Sequence, residues 1–304
     1  MFGFINCNKP VGYTSRDVVN IVQGRLRKRK VKVGHCGTLD PLADGVLVIG
    51  VGAAAKLVPF VHESSKTYDG TFRLAAESPT GDLEFQPTLY PDHPKPTLGD
   101  LQSACMDLTG YITQIPPAYS AIRVGGQRAY DMARNGQVVD MPSRLVRIES
   151  IEIESYDYPE LRIRVTCGTG TYLRTLGMDL AKAVGTVAVM TSLTRTHVGE
   201  FSISDAVSVD QIREQDIDSL LQPPALGVTH LPRWVIDADE GVRLGNGLCL
   251  ADRTPDAIGR DPGDNRHIAA VTRDGHLKAI LVQKEGRWCP KRVFPDQSTD
   301  GADI

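Results

Sequence analysis

The sequence predicts an α+β fold in which helices cover a mixed, largely antiparallel sheet, with a small β-rich domain towards the C-terminal end. Strand-like and helix-like segments are interspersed without the regular strand–helix alternation of a doubly wound sheet. Leu145–Ser155 and Leu161–Cys167 alternate apolar with polar residues and follow each other closely, which is typical of paired, half-buried strands. At 304 residues, the chain is long enough for one large domain or two ordinary ones.

The N-terminal elements are predicted to surround a loop rich in glycine. Phe2–Asn6 is expected to form a short strand, and Thr14 with Asp17 supplies a capping box for a helix with one apolar face. Gly34–Pro41 has the composition of a loop, and the continuous apolar run Val46–Val51 predicts a buried strand. The loop would therefore lie between a capped helix and the core.

The middle of the chain is predicted to add a strand, a long loop and three helices. The segments are the strand Thr67–Leu74, the loop Ser78–Pro96 with its five prolines, and the helices Thr97–Leu108, Gln127–Asn135 and Tyr172–Val184. Gly136 and Gly185 follow the last two helices, where glycine commonly ends a helix.

The prolines near residue 222 indicate a boundary. Gln222-Pro223-Pro224 is expected to be a linker, so that residues 1–230 form the larger domain and residues 231–304 the smaller one. Short β-like runs alternate with glycine and proline turns in the second domain: His267–Thr272, Leu277–Gln283 and Arg292–Phe294.

Composition excludes several classes of protein. Apolar residues make up 41% and charged residues 23% of the chain, close to the average for soluble globular proteins and unlike disordered, collagen-like or coiled-coil chains. The longest apolar runs, near Gly45–Ala55 and Val184–Met190, are too short to span a bilayer. The residues after Met1 do not resemble a signal peptide. We therefore expect a soluble, cytoplasmic protein.

The cysteine pattern favours free thiols. No Cys-x-x-Cys pair and no His-Glu-x-x-His motif occurs, and the cysteines are widely spread. In a cytoplasmic chain this predicts reduced thiols, without a disulfide framework or a zinc site, and no metal is expected to take part in catalysis. The six cysteines are Cys7, Cys36, Cys105, Cys167, Cys249 and Cys289.

Charge is concentrated in one short segment, although the formal net charge is only −3. No acidic residue occurs between Asp17 and Asp40. A cluster of cations on a mildly acidic protein is a candidate phosphate-binding surface, but the same cations could simply solvate the end of the preceding helix. The cations are Arg25, Arg27, Lys28, Arg29, Lys30 and Lys32.

Two glycine-rich segments could carry chemistry. Gly50–Ala55 has the spacing of a dinucleotide-binding fingerprint, but Pro59 would end the next helix early, so an oxidoreductase is only an outside alternative. The loop that follows the cations holds His35 and Asp40, and a carboxylate beside a phosphate-binding surface can act as a nucleophile or base. Taken alone, Asp40 could equally cap a turn, and His35 could be an ordinary loop histidine.

A set of sequence blocks in fixed order resembles the bacterial tRNA pseudouridine-55 synthases of the TruB type. The resemblance extends in blocks from Phe4 to Phe201 and is looser after that. The family usually has serine at Gly168 and lysine at Arg123, and Leu74–Asp82 is a degraded form of another family block. The matching blocks are Asn8–Ser15, Gly34–Gly45, Lys66–Tyr68, Gln114–Ala121, Cys167–Arg174 and Leu193–Gly199.

The resemblance implies an isomerase with a pseudouridine synthase fold that converts uridine to pseudouridine at position 55 in the T-loop of tRNA. It implies no cofactor, no metal, no membrane and no obligatory protein partner, and we expect a monomer that binds the tRNA T-arm stem-loop. A segment at about 96–142 would be an insertion that clamps the RNA, and residues 231–304 would be a small accessory domain similar to an RNA-binding module.

The resemblance also assigns roles to individual residues. Asp40 matches the essential aspartate, Arg174 the arginine that pairs with it, and Tyr68 the tyrosine that stacks on the target uracil. The remaining matches are Tyr172 beside them in the pocket, His35 in the space vacated by the extracted base, Leu193 in the pocket wall, and Lys9 as structural support for the Asp40 loop.

Elementary chemistry agrees with these roles. Extracting a base from its stack costs roughly a few kcal/mol, and stacking on Tyr68 could return about 1–3 kcal/mol. A cation such as Arg174 would keep Asp40 ionised, and Tyr68 could also relay a proton. Whether Asp40 adds to C1′ or assists removal of the 2′ proton stays open.

Three of these residues could instead have a purely structural role. Leu193 could belong to the core, Tyr172 could pack at the start of a helix, and Arg174 could be a surface residue in a first helical turn, where a cation is unfavourable. Two alternative functions remain: an RNA-binding or RNA-folding protein without catalysis, which would not need Asp40, and a relative that modifies another RNA.

Overall fold

A large mixed sheet dominates the computed structural model, which describes residues 1–120, 122–250 and 267–295. The strands of all its sheets, numbered along the chain, are β1 (Gly3–Lys9), β2 (Val33–His35), β3 (Asp44–Val51), β4 (Lys66–Leu74), β5 (Ala76–Glu77), β6 (Thr88–Leu89), β7 (Gly110–Gln114), β8 (Arg123–Val124), β9 (Gln127–Arg128), β10 (Arg144–Asp157), β11 (Glu160–Cys167), β12 (Ala188–Val198), β13 (Phe201–Ser202), β14 (Val207–Ser208), β15 (Arg233–Val235), β16 (His267–Val271), β17 (Leu277–Lys284) and β18 (Arg287–Val293). The large sheet has ten of them.

Seven α-helices accompany these strands in the described ranges. They are α1 (Ser15–Arg25), α2 (Val58–Glu63), α3 (Leu98–Asp107), α4 (Ala129–Arg134), α5 (Leu173–Ala183), α6 (Val209–Glu214) and α7 (Ala238–Gly245). None of these described helices is long and apolar enough to cross a membrane.

The main sheet has the order β14-β1-β3-β12-β4-β11-β10-β7, with β2 paired to β3 and β13 paired to β12. Its pairs are antiparallel except for β1 with β14 and β3 with β12, which are parallel. β10 and β11 form the hairpin that their alternating sequences predict. The predicted fold class, a mixed and largely antiparallel sheet, is confirmed.

Local sequence signals set the helix boundaries. α1 begins after Thr14, whose hydroxyl accepts a hydrogen bond from the amide of Asp17, while the Asp17 carboxylate accepts one from the amide of Thr14. The predicted capping box is therefore present. Thr97 and Asp100 cap α3 in the same way. Val33–His35 differs from the loop predicted from Gly34 onwards, because these residues pair with β3 as an edge strand.

The strand β12 is not predicted by sequence patterning, although it lies in the middle of the sheet between β3 and β4. Its pairing with β4 shifts register between Met190 and Ser192 and again between Arg195 and His197. Such bulges break the alternation of apolar and polar residues that identifies a strand. β12 brings β3, which follows the glycine-rich loop, close to β4.

A four-stranded sheet, β15-β16-β17-β18, forms the C-terminal part of the structure. Apolar residues of this part, including Val271 and Phe294, share a buried cluster with Phe4 and Phe60 of the N-terminal part. The predicted linker at 222–224 is packed rather than free: Gln222 exchanges two backbone hydrogen bonds with Phe4, and Pro224 is buried. Backbone pairing with β1 thus anchors this segment to the main sheet.

The prediction that all cysteines are free thiols is wrong for one pair, Cys249 and Cys289, which form a disulfide with a Cα–Cα distance of 4.1 Å. The amide of Leu250 donates to the carbonyl of Trp288, and this bridge brings the two neighbouring cysteines together. They are 40 residues apart in the chain, so spacing alone gives no sign of the contact. The remaining four cysteines are free and buried.

Candidate active site

The loop that carries Asp40 is fixed from two sides. The hydroxyl of Ser15, at the start of α1, accepts from the amide of Leu39 at 2.9 Å and donates to its carbonyl at 3.2 Å. The amide of Gly12 donates to the carbonyl of Pro41 at 2.7 Å. The residues on both sides of Asp40 are therefore held by buried or backbone hydrogen bonds, while the Asp40 side chain stays 41% exposed and open to a ligand.

Arg174 joins Asp40 to a second carboxylate. Its guanidinium is 6% exposed and lies 2.9 Å from Oδ2 of Asp40 and 3.1 Å from Oδ2 of Asp82. It also donates to the backbone carbonyls of Thr80 and Tyr119, both at 3.1 Å. A planar guanidinium with this many acceptors has little rotational freedom, so Arg174 orients the Asp40 carboxylate. A positive charge in the first turn of α5 is unfavourable, and the contacts of Arg174 with these acceptors offset that cost.

Asp82 is a member of this ion-pair network that sequence reasoning missed. Its side chain is 6% exposed and accepts hydrogen bonds from the Thr80 hydroxyl at 2.6 Å and the Glu84 amide at 3.0 Å. It lies in an irregular proline-rich loop, where periodicity carries no information. The signal that could have found it is the degraded family block Leu74–Asp82, which ends on this residue.

Tyr68 lies on β4 directly opposite Arg195 of β12. It packs against the buried cluster that contains Leu193 and Phe72. Burial raises the pKa of the Tyr68 hydroxyl, and the positive charge of Arg195 acts in the opposite direction. Tyr68 is therefore an uncharged phenol at neutral pH.

His35 lies on β2 and Leu193 on β12, two strands that pair with opposite ends of β3. His35 ends β2 opposite Ile49, and its buried Nδ1 has no hydrogen-bond partner among the described residues. Burial is the main cause that lowers the pKa of His35, followed by the charges of His62 and Arg16. Leu193 is opposite Gly70 and belongs to the main core cluster, so its packing role is satisfied whatever it contacts in a complex.

Tyr172 and Lys9 support neighbouring segments. The side-chain amide of Gln114 hydrogen-bonds both the amide and the carbonyl of Tyr172, at 2.8 and 3.1 Å, and the Arg144 guanidinium lies 4.7 Å from the Tyr172 ring centre. Lys9 is fully buried and donates to the carbonyls of Pro10 and Tyr13 at 3.0 and 2.8 Å. Burial lowers the pKa of Lys9 to about 8, against the opposing charges of Asp44 and Asp40.

The cations at 25–32 are all exposed, at the end of α1 and in the turn after it. Two of them have partners within the chain: Arg29 forms an ion pair with Asp218 at 2.6 Å, and Arg25 donates to the carbonyl of Gln215 at 2.8 Å. The side chains of Arg27, Lys28, Lys30 and Lys32 have no ion pair among the described residues. These four are the cations best placed to contact a polyanion.

The carboxylates of the site are occupied by protein donors. Asp82 receives three of them and Asp40 receives Arg174. Across the described ranges, no group of three or more His, Cys, Asp and Glu side chains is arranged to hold a metal ion. The chemistry that the described residues can supply is therefore that of an oriented carboxylate, a buried cation and an aromatic face.

Comparison with known proteins identifies the family of this chain. Residues 25–173 match the profile of the TruB family pseudouridylate synthase N-terminal domain. The chain is 42% identical to a tRNA pseudouridine synthase B of Rhodopirellula baltica over 96% of its own length and 94% of that protein. It is 35% identical to a tRNA pseudouridine synthase B of Dehalococcoides mccartyi over 98% of both chains.

Solved structures show the same fold. A chain in the crystal structure of a Cbf5–Nop10–Gar1 complex superposes with a TM-score of 0.74, at 25% identity, over 97% of this chain and 85% of that one. The fold that carries Asp40 and Arg174 is thus shared with this solved structure. With relatives of this identity and coverage, the chain belongs to the TruB family of pseudouridylate synthases.

Proposed function

We propose that this protein is a tRNA pseudouridine synthase that isomerises uridine to pseudouridine, and that its target is position 55 in the T-loop. The Asp40–Arg174 ion pair carries the proposal, because it places an oriented carboxylate on a partly exposed loop of a chain that is 42% identical to a tRNA pseudouridine synthase B. The isomerisation needs no external oxidant or group donor, since every heavy atom of the base is retained and the proton lost from C5 is balanced by one gained at N1.

The proposed reaction begins with extraction of the uridine from the RNA stack. The Tyr68 ring would take up the base, and Asp40 would then add to C1′ or assist removal of the 2′ proton. The N1–C1′ bond breaks, the base turns, and C5 bonds to C1′ as the Asp40 oxygen leaves C1′ or, on the other route, as the proton returns to C2′. The proton on C5 passes to solvent and N1 takes one up, so the product is an isomer of the substrate.

The other predicted site residues complete the proposed pocket. His35, with its unpartnered buried nitrogen, would fill space left by the extracted base, and Tyr172 and Leu193 would contribute the walls. Lys9 would support the Asp40 loop through the Pro10–Tyr13 turn, which contacts Pro41 through the Gly12 amide.

Two further surfaces are proposed to bind the T-arm. The cations at 25–32 would contact phosphates, and a clamp would come from the segment 96–142, of which residues after Gln114 leave the main sheet. Residues 231–304 would act as an accessory RNA-binding domain beside a catalytic domain of residues 1–230. We expect a cytoplasmic monomer that acts on tRNA without a protein partner or cofactor.

The decisive experiment uses a T-arm stem-loop with tritium at C5 of the target uridine. We expect the wild-type protein to release the label without added metal or cofactor, and Asp40→Asn to lose more than about 10³-fold in rate while still binding the RNA. Asp179→Asn, the same exchange on α5, should keep the wild-type rate. If the wild-type protein binds the stem-loop and releases no label, the protein is an RNA-binding protein or acts on another uridine.

A further inference from the structure

Arg195 is a second buried arginine, and its hydrogen bonds converge on the catalytic loop. The residue is only 2% exposed. The guanidinium donates to the carbonyl of Val46 at 2.7 Å, to that of Gly37 at 3.3 Å and to that of Thr38 at 3.4 Å. Gly37 and Thr38 lie shortly before Asp40 in the loop, so a side chain on β12 reaches across β3 to hold the segment that presents the carboxylate.

The same side chain faces Tyr68. Arg195 and Tyr68 are directly paired across the antiparallel strands β12 and β4. Directly opposed residues of neighbouring strands have their side chains on the same face of the sheet, and the positive charge of Arg195 opposes the rise that burial causes in the pKa of the Tyr68 hydroxyl. One planar group with five N–H donors can serve several acceptors in fixed directions, which an ammonium group cannot do.

The backbone around Arg195 leaves it little freedom to move. Arg195 pairs in parallel with Gly45 of β3. Gly45 has φ +100°, and a Cβ there would lie 2.2 Å from the carbonyl oxygen of Arg195. Glycine is therefore needed for β12 to approach β3 this closely. The distance between these two strands in turn sets how far the Arg195 guanidinium lies from the loop carbonyls that it contacts.

A buried guanidinium is costly unless its donors are satisfied. Arg195 donates to three backbone carbonyls, two of them in the loop before Asp40. These carbonyls do not cancel its charge, whereas Arg174 faces two carboxylates that do. For core packing alone, an apolar side chain would serve as well as this guanidinium.

We propose that Arg195 is a positioning residue for the isomerisation: a single guanidinium fixes the loop before Asp40 and the hydroxyl end of Tyr68 relative to each other. The proposal rests on the proposed function of the site. Asp40 and Tyr68 come from different segments; Arg195 donates to the loop before Asp40 and is directly opposite Tyr68 in the sheet. A displacement of about 1 Å between reacting groups can cost roughly 10²-fold in rate.

The test compares Arg195→Lys, which keeps the charge and loses the planar fork, with Arg73→Lys at an exposed position of β4. Single-turnover tritium release is measured at saturating T-arm stem-loop, and the RNA dissociation constant is measured with each exchange added to Asp40→Asn. We expect Arg195→Lys to lower the single-turnover rate about 10- to 100-fold, with the dissociation constant within about twofold of its parent. Arg73→Lys should change neither value.

A double-mutant cycle with Tyr68→Phe separates positioning from general support of the fold. If Arg195 acts through the Tyr68 hydroxyl, the loss caused by Arg195→Lys becomes smaller in the Tyr68→Phe background. Equal losses in both backgrounds, or a wild-type rate for Arg195→Lys, would overturn the proposal. A variant that is merely misfolded would show a reduced reactive fraction with a normal rate, which also counts against it. Failure of the proposed function is distinct, because the wild-type protein would then release no label.

Discussion

Buried charge at the site is arranged as a chain of residues rather than as one pair. Arg174 lies between Asp40, which is partly exposed, and Asp82, which is almost fully buried. The exposed carboxylate is the one available for chemistry. The Asp82 carboxylate accepts hydrogen bonds from Thr80 and Glu84, and it therefore fixes the Arg174 guanidinium on the side away from Asp40.

Asp82→Asn tests this arrangement. Removing one charge from a buried ion pair leaves the other poorly compensated, so we expect a loss of up to about 3–5 kcal/mol in the free energy of unfolding and a slower single-turnover rate with unchanged RNA affinity. Asp69→Asn is the control, since Asp69 pairs with Arg164 in a half-exposed position and such pairs contribute at most about 1 kcal/mol. Urea unfolding measures the free energy of unfolding of both variants. Equal stability losses would show that Asp82 has no special role.

His35 makes the stability of the protein without RNA depend on pH. Its pKa is lowered from the ordinary value of 6.5 in the folded state, mainly by burial. As the pH falls below about 6.5, the unfolded chain binds a proton that the folded chain does not, so stability is lost at low pH and is regained as the pH rises. His35→Gln should flatten the dependence of the melting temperature on pH between about pH 5 and 7. An unchanged slope in His35→Gln would contradict the burial argument.

At the scale of elements, α5 positions Arg174 through its contact with β4. Gly177 on α5 lies against the ring of Phe72, and a Cβ at residue 177 would be 2.0 Å from that ring. Both residues are buried in the layer beneath the site. This close contact sets the distance of α5 from the sheet, and so allows the Arg174 side chain to contact Asp40.

Gly177→Ala should therefore destabilise the protein, although alanine favours a helix. Overpacking of this kind costs about 1–3 kcal/mol, and any shift of α5 should also slow label release. In Gly24→Ala, a helical glycine with open space around its Cβ position, the helix preference of alanine acts alone and should add up to about 1 kcal/mol. Thermal denaturation of both variants checks the opposite signs. A stabilised Gly177→Ala would show that α5 can move away at no cost.

Sequence patterns predict elements where one local signal dominates. The capping box at Thr14, the apolar run in β3 and the alternation in β10 and β11 are all borne out. β12 could not be predicted because bulges interrupt its alternation of apolar and polar residues. The Cys249–Cys289 disulfide could not be predicted because it depends on a contact between distant segments.

Candidate site residues divide in the same way. Asp40 and Arg174 could be matched from motif blocks, and the structure brings them to 2.9 Å. Asp82 lies in an irregular loop and Arg195 lies on the unpredicted strand. Their roles follow from the direction of buried side chains, which depends on tertiary packing rather than on any spacing in the chain.

For the whole molecule, the distribution of charge matters more than its sum. The formal net charge is −3, yet the stretch from Val18 to Leu39, which runs from the first turn of α1 to the residue before Asp40, contains no acidic residue. A tRNA is a polyanion, and an exposed cluster of cations next to the loop would steer it and release counterions on binding. Asp218 already neutralises Arg29, so the other members of the cluster should carry this effect.

The double variant Lys28→Gln/Lys32→Gln tests the cluster directly. Removing one phosphate contact should reduce the slope of log affinity against log salt concentration by roughly one, so the double exchange should reduce it by about one to two and weaken binding at low salt. Lys56→Gln/Lys182→Gln removes the same charge from other exposed positions and should leave the slope unchanged. Measuring RNA affinity across a salt series, in the Asp40→Asn background, distinguishes the two. Equal slopes for both variants would mean that the cations only solvate the end of α1, and that the T-arm is held by other surfaces.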